Sequence, residues 1–151
     1  MRKIGLLVLF GLICGAAALI AQSNDLLDEL LAEEKTSFGK ASYLVLLSVG
    51  LIQEDATVEQ SLNVLERQDW GLKRKGKNEP ITLGEYSYLL MKTLAIPGGL
   101  MYGIFPGPRY ASRELFYLGI GSGKPNPYRY ISGVEAVGML GRALDWKEER
   151  S

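Results

Sequence analysis

Four cations, Lys73, Arg74, Lys75 and Lys77, crowd into one short stretch just after Trp70. Charged groups on flexible stems beside an indole suit an anionic glycan, a phosphate or a lipid headgroup. The plainer reading of the same stretch is a solvated loop that keeps the chain soluble. A second set of groups is aromatic. Tyr86, Tyr88, Tyr102, Phe105, Tyr110, Phe116, Tyr117, Tyr128 and Tyr130 all fall in the second half of the chain. Some must fill the core, but Tyr102, Phe105 and Tyr110 lie around a Pro/Gly connector, where rings can line a sugar- or protein-binding groove. Trp70, the four cations, Tyr102 and Tyr110 are therefore the candidate ligand-binding residues.

Composition excludes much else. The chain has no histidine, and its single cysteine is Cys14. Ser-His-Asp and Cys-His catalysis, Cys/His zinc sites and a disulfide within the chain are ruled out. Glu85 and Glu135 could be read as the paired acids of a glycosidase, but each sits three residues after a hydroxyl residue, where helix capping accounts for it. The run Gly119-Ile120-Gly121-Ser122-Gly123-Lys124 glances toward a phosphate loop. It fails at both ends: Leu118 stands where the first glycine belongs, and Pro125 where the Ser or Thr after the lysine belongs. No catalytic residue, metal or cofactor is expected. The 17 basic residues balance the 17 acidic ones, which is not the strongly basic profile of a nucleic-acid binder.

The elements that must position these groups are helical. Met1-Arg2-Lys3 is a short basic start, and Ile4–Ile20 is an apolar and glycine run with no charge until Asp25. That is the layout of a secretory signal peptide, with A-x-A-like sites at Ala16–Ala18 and after Ala21. The run approaches the roughly 18 residues of a spanning helix, so a retained anchor is the alternative. Lipidation at Cys14 fits poorly, because Ile13 and Gly11 occupy the lipobox positions. Cleavage near Gln22 removes Arg2 and Lys3 and leaves a net charge of −2. The expected organisation is a signal or anchor at 1–21, an amphipathic helix or linker at 22–40, a helical repeat domain at 41–146 and a fraying tail at 147–151. Ser23-Asn24 caps the first helix, and Ser37–Lys40 breaks it. Further helices are expected over 41–49, 57–69, 82–94, 109–118 and 132–145, with 96–108 a connector holding at most one helical turn. No alternating strand is visible, so the class is all-α: a small bundle.

Three of the helices open alike. Thr57-x-x-Gln60, Thr82-x-x-Glu85 and Ser132-x-x-Glu135 all fit the capping box. Eight residues after each cap stands a leucine (Leu65, Leu90, Leu140), and ten after it a basic residue (Arg67, Lys92, Arg142). Two shorter helices, starting at Ala41-Ser42 and Ala111-Ser112, run into Gly50 and Gly119. The pattern reads as a degenerate helix–loop–helix repeat. Gly119-Ile120-x-x-Gly123, then Pro127-x-x-x-Ile131-Ser132-x-x-Glu135, resembles the surface-layer homology (SLH) motif, and Ile81-Thr82-Leu83-Gly84-Glu85 resembles its I-T-R-A-E box. The resemblance covers 41–146 in pieces. It implies tandem helical modules that hold an exported protein to an anionic cell-wall polymer or glycan. The family's box arginine is replaced by Leu83 and Gly133, the aromatic of its F-x-P by Pro125, and the middle unit lacks an obvious first helix. The expected function is non-catalytic attachment in the cell envelope, periplasmic or at the wall, to a glycan or anionic polymer. The alternative is a protein-docking subunit of an envelope assembly such as a flagellar or secretion machine. A membrane enters only through an uncleaved N-terminal segment.

Overall fold

The computed structural model describes residues 24–151, so the expected signal or anchor segment and the Ser23 cap lie outside the described residues. The described chain is all-helical. Helix α1 occupies 24–31, followed by α2 (Phe38–Ser48), α3 (Val58–Arg67), α4 (Leu83–Thr93), α5 (Leu100–Ile104), α6 (Pro108–Tyr117) and α7 (Gly133–Glu148). None of these helices is long and apolar enough to cross a membrane.

Helix α4 is the centre of the core. Leu83, Tyr86, Leu89 and Leu90 on it are fully buried, and it packs against α6, α2 and α7. Burial pushes the Tyr86 phenol far above its ordinary range, and its hydroxyl donates to Ala136 O at 2.8 Å. A buried hydroxyl left without such a partner would cost about 1–3 kcal/mol. The leucines eight residues after the three caps all face inward, with Leu65, Leu90 and Leu140 under 9 % exposed.

Three helix starts meet at one place. The first amides of a helix have no partner within it, and here the neighbouring loops supply one. Phe38 N–H donates to Glu79 O (2.7 Å) and Gly39 N–H to Lys77 O (2.9 Å) at the start of α2. Leu83 N–H donates to Arg129 O and Gly84 N–H to Pro127 O, both at 2.8 Å, at the start of α4. Gly133 N–H donates to Glu33 O at 2.9 Å at the start of α7. The loop before α4 thus serves α2, the loop before α7 serves α4, and the loop before α2 serves α7, which closes a ring. Thr36 N–H to Ile131 O and Ile81 N–H to Thr36 O brace its centre. The only extended pairings among the described residues are the isolated bridges Ser37–Pro80 and Thr82–Tyr130 in this ring. Backbones come so close that glycine is required: a Cβ on Gly133 would stand 1.7 Å from Leu30 O.

Several boundaries differ from expectation. The break expected at Ser37–Lys40 is instead the first turn of α2. Glu33 reaches forward to accept from Ser37 N–H (2.8 Å) and Ser37 Oγ, while Lys40 at the third helical position pairs with Glu33 and Glu29, both at 3.0 Å. This is a capping arrangement with its charges exchanged. Buried Leu30 and the bond from Gly133 to Glu33 hold 24–37 against the helical body. At the other end, α7 runs on to Glu148 rather than stopping at Asp145. Lys147 Nζ donates to Leu94 O, and the Arg150 guanidinium lies 4.5 Å from the Trp146 ring, which orders that turn.

Candidate functional site

The candidate site grows from the turn after α3. Asp69 (φ 50°) and Gly71 (φ 76°) both take left-handed backbone and bracket Trp70. The turn lays the half-buried Trp70 against the core and presents its carbonyl to the Tyr88 hydroxyl, 2.7 Å away. The result is a cleft of about 220 Å³ with Phe38, Leu62, Leu65 and Leu72 as apolar lining, Trp70 as a wall, and Glu66, Asp69 and Arg74 at its polar edge. A second, shallower groove of about 470 Å³ adjoins it. It runs between Glu59 and the 74–77 stretch and shares Leu62 and Arg74 with the first.

The four cations have different roles. Lys75 is structural: its side chain is 19 % exposed, and its ammonium lies 2.9 Å from Glu85 and donates to Pro80 O at 2.8 Å. Burial works to raise the Glu85 carboxyl, but the Thr82 N–H and hydroxyl together with Lys75 outweigh it and hold that carboxyl below its ordinary range. Arg74 pairs with Glu66 and Lys77 with Glu59, and all four of these side chains are more than half exposed. The hydrogen bond from Lys77 holds the Glu59 carboxyl below its ordinary range. Lys73 is exposed and makes no ion pair among the described residues. Exposed pairs contribute only about 0–1 kcal/mol, so a polyanion can compete for Arg74 and Lys77 as well as Lys73. It cannot take Lys75 without opening the start of α4.

The aromatic candidates lie elsewhere. Tyr102 is 9 % exposed, packed 6.2 Å from Tyr88, and burial pushes its phenol up to about 12. It meets the Trp70 cleft only through Tyr88, as a core residue. Tyr110 is half-buried and stacks on Phe105 at 6.3 Å, with the Arg109 guanidinium 5.9 Å from its ring. Neither lines a groove with Trp70.

The cap residues show the same local chemistry in two forms. Thr57 and Thr82 accept from the amides of Gln60 and Glu85, whose side chains accept in return from the cap amides (2.7 and 2.8 Å). Ser132 accepts from the Glu135 amide at 3.2 Å, but the return bond is missing. The Arg129 guanidinium grips the Glu135 carboxylate with both terminal nitrogens instead. Residues that the sequence reading left out of the site are Glu59, Glu66 and Asp69, which border the two grooves. For Glu59 and Glu66 the signal is helical spacing, which sets both off the inward stripe of Leu62 and Leu65 on α3. No group of three or more candidate metal ligands occurs among the described residues. No protein-family model matches the chain, and no curated protein or solved structure matches it either.

Proposed function

We propose that this chain is a non-catalytic attachment module of the cell envelope, exported and built on an SLH-like plan, which holds an anionic wall glycan or polymer. The observation that carries the reading is the face formed by the two adjoining grooves. Trp70 walls one, Arg74 links both, and Lys73 and Lys77 stand at the surface beside them, without partners or in weak exposed pairs. An extended polyanion fits two grooves in series better than a compact ligand fits either. The repeat plan draws support from the ring of helix starts, in which Thr82 and Ser132 mark two members, although the third is α2 behind Ser37, and α3 with its Thr57 box stands outside the ring.

The family's own anion site does not transfer. Leu83 and Gly133, at the positions of the box arginine, are buried in the ring and carry no charge. Binding therefore runs through the Trp70 face. Cosedimentation with purified wall sacculi tests this. The Lys73→Ser/Arg74→Ser/Lys77→Ser variant, which spares Lys75, should bind weakly and melt normally. Wild-type binding should fall with salt, because exposed charges are screened beyond about 8 Å at physiological ionic strength. Binding that survives both changes refutes this face. Absence of binding under all conditions would favour the protein-docking alternative.

A further inference from the structure

We propose that α5 and its flanks seat this protein on the surface of an anionic lipid bilayer, a membrane contact that the sequence expectation confined to the N-terminal segment. From Ala95 to Pro108 the chain has no charged residue, and its only polar side chain is that of Tyr102, which is buried. The large side chains beside it point out: Leu100 is 79 % exposed, Phe105 58 %, Ile104 57 % and Met101 45 %. Scattered exposed leucines are ordinary, but four large apolar groups within six residues form a patch that calls for a partner.

The chemistry around the patch identifies that partner. Arg109 and Arg113 follow on exposed positions one helical turn apart on α6, and neither makes an ion pair among the described residues. Arg109 is tied to the patch through Tyr110, which stacks on Phe105. On the other side Lys92 lies 5.4 Å from the Tyr88 ring, and Tyr88 packs against Tyr102 of α5. A carboxylate at the base, Glu114, is half-buried against Gly99. An apolar tip inside a basic collar matches acyl chains below anionic headgroups.

Two other occupants fit less well. A second copy of this chain would need about 800 Å² per partner and some 20–30 residues a side for a stable interface, more than a five-residue helix and its flanks present. A specific protein partner would find no exposed side-chain hydrogen-bonding group along the whole stretch, whereas protein interfaces carry about one hydrogen bond per 100–200 Å². Lipid asks for none from side chains. The unpaired backbone groups of so short a helix still need water or headgroups, which limits the contact to the interfacial layer. This surface is separate from the polymer-binding face, and the inference does not depend on it.

A depth-sensitive label tests the proposal. In the full chain carrying Cys14→Ser, a polarity-sensitive fluorophore is attached through Ile104→Cys, or through Asn63→Cys on α3 as control. Vesicles contain zwitterionic lipid, roughly one part in three anionic lipid, and a quencher fixed in the acyl region. The label at 104 should shift to the blue and be quenched, and the label at 63 should do neither. Arg109→Ser and Arg113→Ser should each weaken that signal's lipid dependence about fivefold. If vesicles take up the protein while the label at 104 stays unquenched, the proposal is wrong. A blue shift that appears without lipid, on raising protein concentration alone, assigns the patch to self-association and overturns it equally.

Discussion

Replacing Gly133 by alanine should destabilise the fold although it adds a better helix former. A Cβ at 133 would stand 1.7 Å from Leu30 O and 2.5 Å from Leu30 C, both backbone atoms. Unbonded heavy atoms rest at about 3.5 Å, so α1 and α7 must part by nearly 2 Å. That movement breaks the 2.9 Å bond from Gly133 N–H to Glu33 O, strains the bond from Thr36 to Ile131, and loosens Leu30, which is fully buried. Overpacking costs about 1–3 kcal/mol and a lost buried hydrogen bond about 1 kcal/mol more. Alanine's helix propensity returns at most about 1 kcal/mol. The net expectation is a loss of about 1–4 kcal/mol. Gly141, on the same helix, is exposed, and a Cβ there would meet nothing within 4 Å. Gly141→Ala should therefore stabilise by about 0.5–1 kcal/mol. Urea unfolding followed by circular dichroism measures both. If the two substitutions shift the midpoint in the same direction, the close approach of α1 to α7 is wrong.

Three further outcomes follow from the capping chemistry and the ion pairs. Thr82→Ala should cost about 1–2 kcal/mol, because it dismantles a reciprocal box, while Ser132→Ala should cost less, about 0.5–1 kcal/mol, since only half of that box exists; melting curves compare them. Lys75→Ser should lower stability by about 1–2 kcal/mol, as it strips a half-buried carboxylate of its cation, whereas Lys73→Ser should leave melting unchanged. The Glu85 carboxyl is lowered in the folded chain, so its contribution is fully present above its ordinary value of 4.5 and is lost as pH falls through the lower folded value. Urea midpoints should then hold steady from pH 7 to about 5 and drop in more acidic solution, with a shallower drop in Glu85→Gln.

The parts of the fold legible from the sequence were those governed by neighbours along the chain. Thr57, Thr82 and Ser132 announce helix starts because their hydroxyls bond amides three residues on, and Gly50 and Gly119 announce helix ends because they take left-handed backbone. The start of α2 was hidden because its capping carboxylate, Glu33, precedes the cap instead of following it, and Lys40 stands where an acid is expected. The end of α7 was hidden because Leu94 O, which holds Lys147, is 53 residues away. The site divides the same way. The cluster of cations was visible, but which of them is free depends on tertiary partners: Glu85 claims Lys75 from a helix start, and α3 offers Glu59 and Glu66 only as exposed, replaceable partners. The exposure of α5 was unreadable, since an uncharged Pro/Gly connector looks alike whether buried or open.

The central claim is that the Trp70 face holds an anionic wall polymer. Trp146→Phe leaves Trp70 as the sole indole, so its emission reports that cleft alone. Titration with purified anionic wall polymer should change the emission saturably, and the change should vanish in high salt or in the Lys73→Ser/Arg74→Ser/Lys77→Ser background. Polymer binding detected by sedimentation with Trp70 emission unaltered would contradict the account.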